Sequence, residues 1–149
     1  MARQLARTSI GMFCAVLMMI TVAGCGPWST PSVELTFDDP LEAKLSELSE
    51  RGQSARLRDL TDFDWDEVHV FYEGDSREHV EEVVGARVFR DKYYSSSGSL
   101  MVFEKQAKVV KAVALTGEFV RSGQPGWSSD VVLEPYGLGY LRLTSAPAK

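Results

Sequence analysis

Cysteine is nearly absent from this chain of 149 residues: there are two, Cys14 and Cys25, and none from Gly26 to Lys149. That long C-terminal part therefore has no disulfide, no thiolate zinc or iron–sulfur site and no cysteine nucleophile. Histidine is as scarce, with His69 and His79 alone, and neither has a partner at the H-E-x-x-H spacing of zinc hydrolases. No G-x-S-x-G or S-x-x-K marks a serine nucleophile, and no G-x-G-x-x-G or phosphate-binding loop marks a nucleotide site. The sequence accordingly assigns no catalytic residue, no metal and no cofactor. Basic excess is missing too: 16 Lys and Arg against 21 Asp and Glu give a net charge of −5. Such a balance argues against a nucleic-acid partner. The one long apolar run, Ile10 to Val22, falls short of the roughly 20 residues that a spanning helix needs.

What is present begins at that run. Arg3 and Arg7 precede it, and Val22-Ala23-Gly24-Cys25 follows it. A basic segment, an apolar segment and a small-residue cleavage site in this order read as a secretory signal. The placement of Cys25 after Ala23-Gly24 resembles the lipobox of bacterial lipoproteins. The resemblance implies diacylglyceryl attachment to the Cys25 thiol, cleavage of residues 1–24 and acylation, such as palmitoylation, of the new amine. The protein is then expected at a bacterial membrane, lipid-anchored on the extracytoplasmic face, with the inner and outer membranes both open. Two or more chains hold stably where one holds marginally, since each buried methylene contributes about 0.8 kcal/mol. Removal of Arg3 and Arg7 leaves 14 basic and 21 acidic residues, a net charge of −7. Residues 25–36, with two prolines and two serines, read as a tether. Trp28 in it suits either the headgroup interface or a plain linker.

Residues 37–149 are expected to form a single domain. Asp39-Pro40-Leu41-Glu42 offers an N-cap, a first-turn proline and a capping-box glutamate, and Leu41, Leu45 and Leu48 recur at helical spacing up to a stop at Gly52. Glu67–Tyr72 alternates as a strand, with Val68, Val70 and Tyr72 on one face and His69 and Phe71 on the other. Asp75 with Glu78 starts a second helix, striped by Val80, Val83 and Val84 and closed by Gly85. Leu100–Phe103 and Lys108–Leu115 read as strands joined near Lys105-Gln106, with further strands at Val131–Glu134 and Leu138–Leu143. Asp91–Gly98 and Ser122–Asp130 read as loops. The order predicts an α+β fold in two layers, with about two helices on one face of a mostly antiparallel sheet of about four strands.

Leu57–Gly85, with Leu60-Thr61-Asp62-Phe63-Asp64-Trp65-Asp66 leading into strand and helix, resembles a stretch of uncharacterised small bacterial lipoproteins. The element order is similar to that of the small domains of β-lactamase-inhibitor and outer-membrane assembly lipoproteins. Such likeness implies architecture and transfers no activity.

Two constellations invite a chemical reading. Asp62, Asp64, Asp66 and Glu73 match positions 1, 3, 5 and 12 of a calcium loop, but Glu67 stands where the essential glycine belongs. A polar strand entry, with Phe63 and Trp65 inward and the aspartates outward, accounts for the same residues. Among the loop aromatics, Tyr93, Tyr94, Trp127 and Tyr136 are candidate contacts for a partner, because rings supply area at little entropic cost. The alternative is that each ring folds back over the sheet, since large rings bury most of their area. The expected function is a non-enzymatic envelope domain that binds another protein. A small-ligand or sensing role is the alternative, with a hydrolase after it.

Overall fold

The computed structural model describes residues 30–117 and 120–146. The signal segment, Cys25 and Trp28 lie outside these residues. In chain order the elements are β1 (Leu35–Phe37), α1 (Asp39–Glu50), β2 (Ala55–Arg56), α2 (Leu57–Leu60), β3 (Glu67–Phe71) and α3 (Arg77–Val84). Then follow β4 (Leu100–Lys105), β5 (Lys108–Ala114), β6 (Val120–Arg121), β7 (Gly126–Ser128), β8 (Val132–Pro135) and β9 (Leu141–Thr144). One sheet has the order β1-β5-β4-β3-β7 and the other β2-β8-β9-β6. The pairs β1–β5 and β6–β9 are parallel and the rest antiparallel.

The fold is α+β, as expected, but two features of the expected architecture need correction. Strands dominate and form two sheets, and the two longer helices lie on opposite faces of the five-stranded one. The pleat decides this, because successive side chains of a strand point to opposite faces. Val68, Val70, Met101, Phe103 and Val113 share a core with Leu41, Leu45 and Leu48 of α1 and with Leu133, Leu141 and Leu143 of the second sheet. Phe71, Leu100, Val102, Ala112 and Ala114 share the other core with Val80 and Val84 of α3. Both faces of the central strands are covered, which is why β4 is buried from Leu100 to Glu104.

Local chemistry sets the ends of the helices. Asp38, one residue earlier than expected, caps α1: its Oδ1 accepts from the Leu41 N–H at 3.0 Å, and its other oxygen pairs with Lys111 of β5. Ser76 caps α3 by accepting from the His79 N–H at 3.1 Å, because the Asp75 carboxylate is taken by the Tyr72 N–H at 2.8 Å. Gly85 ends α3 at φ +65°, the left-handed conformation that glycine adopts without strain.

The described part of the expected tether is paired with the body of the domain. Pro31–Val33 is tied to Arg87 by Arg87 N–H donating to Pro31 C=O at 2.7 Å and Val33 N–H donating to Arg87 C=O at 2.9 Å. β1 then adds to the edge of the sheet beside β5. Val33 and Leu35 pack against the α3-side core and the Thr36 hydroxyl donates to the Ala112 C=O at 3.1 Å, long-range pairings that composition does not reveal. Among the described residues no helix is long and apolar enough to cross a membrane.

Candidate functional site

The four candidate aromatics do not form one patch. Tyr94 is 4% exposed and packs in the α3-side core against Phe89, with ring centroids 5.8 Å apart, so it presents no surface to a partner. Burial pushes its phenol above the ordinary range. Trp127 is half-buried on β7, opposite Val68, and its indole N–H donates to Ser122 Oγ at 2.8 Å. Both rings fold back, Tyr94 because its N–H donates to the Asp75 C=O and its C=O accepts from the Gly74 N–H, and Trp127 because the segment is a strand rather than a loop.

Tyr93 and Tyr136 are exposed, on different layers. Tyr93 stands on the α3 side, with the Lys92 ammonium 5.1 Å from its centroid, and shares a hollow of about 150 Å³ with Phe37, Leu35 and Phe89. Tyr136 stands at the turn between β8 and β9, under the Arg142 guanidinium at 5.5 Å.

That turn is the most exposed apolar feature described. Leu138 is 99% exposed and has φ +50°, between Gly137 and Gly139 at φ +84° and +83°. A leucine is unusual in the left-handed region. The conformation is held from both sides, by Tyr136 N–H donating to Tyr140 C=O at 2.8 Å and Tyr140 N–H donating to Gly137 C=O at 2.9 Å. Ser49 of α1 donates to the Gly139 carbonyl and ties the turn to the body. The Arg121 guanidinium covers Tyr140 at 4.5 Å. The result is a fixed tip on which Leu138 and Tyr136 face solvent. The sequence predicts a strand over Leu138–Leu143, whereas the strand begins at Leu141 and the glycines on either side of Leu138 place it in the turn instead.

A polar cluster lies on the α3 side of the five-stranded sheet. Glu67 and His69 of β3 share a face, and Glu104 of β4 stands directly across from Glu67. His69 Nε2 is 3.1 Å from Glu104 Oε2 and 3.6 Å from Glu67 Oε1. His69 also stacks on Phe71, with ring centroids 6.4 Å apart. The register of β4 and β5 shifts between Phe103 and Glu104, a bulge of the kind that redirects side chains.

The calcium-loop residues take the other reading. Asp62, Asp64 and Asp66 point outward, with Asp64 on Lys105 at 3.0 Å and Asp66 accepting from the Gln106 N–H at 2.8 Å. Trp65 is buried, and Phe63 meets Phe103 edge-on at 5.0 Å. Among the described residues no serine hydroxyl is hydrogen-bonded to a histidine ring. No protein-family model, curated protein or solved structure matches the chain.

Proposed function

We propose that this protein is a lipid-anchored domain on the extracytoplasmic face of a bacterial membrane, acting by contact with another envelope protein rather than by catalysis. The anchor reading rests on Arg3, Arg7, the Ile10–Val22 run and Cys25. The contact reading is carried by one observation, the fully exposed Leu138 fixed beside exposed Tyr136. Isolated exposed apolar residues are common, but a leucine held at positive φ by three tie-points is a presented one. Backbone strain of this kind persists where the surroundings enforce it and clusters at functional positions.

Anchoring supplies the mechanism. A tethered domain meets its partner at a raised effective concentration, so a small contact suffices. Five residue steps separate Cys25 from Thr30, where the described chain begins. At about 3.5 Å per residue they reach at most about 18 Å. The Thr30–Pro31 end of the domain is thereby kept near the bilayer. The β8–β9 tip serves as the partner surface.

A small-ligand role is the second reading, favoured by the hollow of about 730 Å³ between Ser32–Leu35 and Arg87–Arg90, where Glu34, Arg87 and Arg90 line it with Val33 and Phe89. Affinity capture of the lipidated protein from crosslinked cells separates the two. The contact reading expects a partner in fixed proportion that is lost from a Tyr136→Ala/Leu138→Ser variant of unchanged stability. A partner retained by that variant would refute the tip as the surface. The same cells test the anchor, since Cys25→Ser is expected to leave the membrane fraction.

A further inference from the structure

The geometry points to a divalent transition-metal site formed by Glu67, His69 and Glu104. The three side chains make an incomplete network if they stand alone. Glu67 and Glu104 are directly opposed across β3 and β4, and like charges so placed repel. Glu104 is 7% exposed, and its one ion-pair partner among the described residues is His69. His69 is 7% exposed as well, and its Nδ1 is buried without a hydrogen-bond partner. With Nε2–H donating to Glu104, the Nδ1 lone pair is unused; with both nitrogens protonated, a buried donor is unmet. Buried networks left partly satisfied are costly, and each unmet group calls for an explanation.

A cation held by Nε2 and the two carboxylates offsets the repulsion of Glu67 and Glu104 across the ladder, and it fixes the proton of His69 on Nδ1, which keeps no acceptor. The candidate ligand atoms lie within 4.8 Å of one another. The Nε2 separations of 3.1 and 3.6 Å bracket the roughly 3.3 Å between neighbouring ligands of a tetrahedral zinc ion. Two carboxylates, a neutral imidazole and a dication sum to zero charge. The imidazole favours zinc or a similar first-row ion over calcium and magnesium, which take oxygen. Glu67, with its side chain 51% exposed, leaves an approach for the ion and a fourth position for water.

Gly126 of β7 makes room for this arrangement. A Cβ at Gly126 would stand 2.6 Å from Glu67 Oε1 and 3.1 Å from His69 Nδ1. A larger residue here would displace the half-exposed Glu67 carboxylate and press on the buried His69 ring, whose Cε1 lies 3.0 Å from that Cβ. The bound ion would tie β3 to β4 beside the edge strand that Gly126 opens. Because Nδ1 lacks the outer acceptor that strengthens imidazole ligands, binding is weaker than at a closed structural zinc site.

The test uses the full lipidated chain in detergent, purified without a histidine tag, stripped by chelator and titrated with zinc chloride by calorimetry. One equivalent of zinc is expected, with a raised unfolding temperature, and cobalt(II) in its place gives a visible absorption band of low-symmetry coordination. Glu67→Gln, at a half-exposed position where folding tolerates it, weakens zinc at least about tenfold and removes the band. His69→Gln does the same, and His79→Gln changes neither. Absence of saturable binding, or binding unchanged in Glu67→Gln, would overturn the assignment.

Discussion

The two faces of the five-stranded sheet are built differently along the same strand. On the face of Val68 and Val70 the side chains run into one continuous apolar core, closed by α1 and by the second sheet. On the other face Phe71 is covered by α3, and two residues along the strand the surface turns polar at His69 and Glu67. The first face has nothing to offer but stability. The second is sealed at one end and left with buried, incompletely paired polar groups at the other. A domain of this size needs one face finished to fold, which leaves the second free to carry a site.

The comparison can be broken most severely on the finished face. Phe103 is fully buried between Phe63 and Trp65, so Phe103→Ala is expected to cost about 4 kcal/mol in denaturant unfolding. On the unfinished face, His69→Leu leaves Glu104 buried and unpaired and costs about 3 kcal/mol, while adding Glu104→Leu recovers most of it. A double-mutant cycle measures that recovery, and a double-variant loss equal to the sum of the two single losses would show that the pair carries no coupling.

Asp38 sharpens the comparison by joining α1 to the strand edge. Burial would raise its carboxyl, but the Lys111 hydrogen bond, the Leu41 N–H and the nearby lysine charges outweigh it and hold the group below the ordinary carboxylate range. A lowered carboxyl stabilises the fold above its unfolded pKa, and that contribution disappears as pH falls from about 4 through the folded value. Asp38→Ala is expected to cost about 1–2 kcal/mol at neutral pH, and Asp38→Asn, which keeps the cap, less. Both variants should flatten the loss of stability below pH 4. Smallest of all, Leu138→Ser should change stability by no more than about 0.5 kcal/mol, since a fully exposed side chain has no packing to lose.

Much of this was readable in the sequence where one element suffices to explain a residue. The leucine stripe of α1, the Gly85 stop and the inward Phe63 and Trp65 follow from local period and turn chemistry. The placement of α1 and α3 on opposite faces was half visible, because β3 is apolar on both sides and a strand covered once would alternate. The short strands β1, β2, β6 and β7 were not visible: with two or three residues each, their pairing rests on partners distant in the chain. Trp127 read as a loop ring for that reason. Glu67 and His69 stand two apart and share a face by simple alternation, but Glu104 joins them through a register that no local pattern encodes. Leu138 reads as the start of a strand from its spacing to Leu141 and Leu143, while its exposure depends on the Ser49 tie and the two flanking glycines.

The measurement that tests the contact account most directly is site-specific photocrosslinking in living cells, with the reactive side chain at position 138 in one strain and at position 93 in another. The account predicts one discrete protein adduct from position 138 and none of that mass from position 93. No adduct at 138, or the same adduct from both positions, would contradict it.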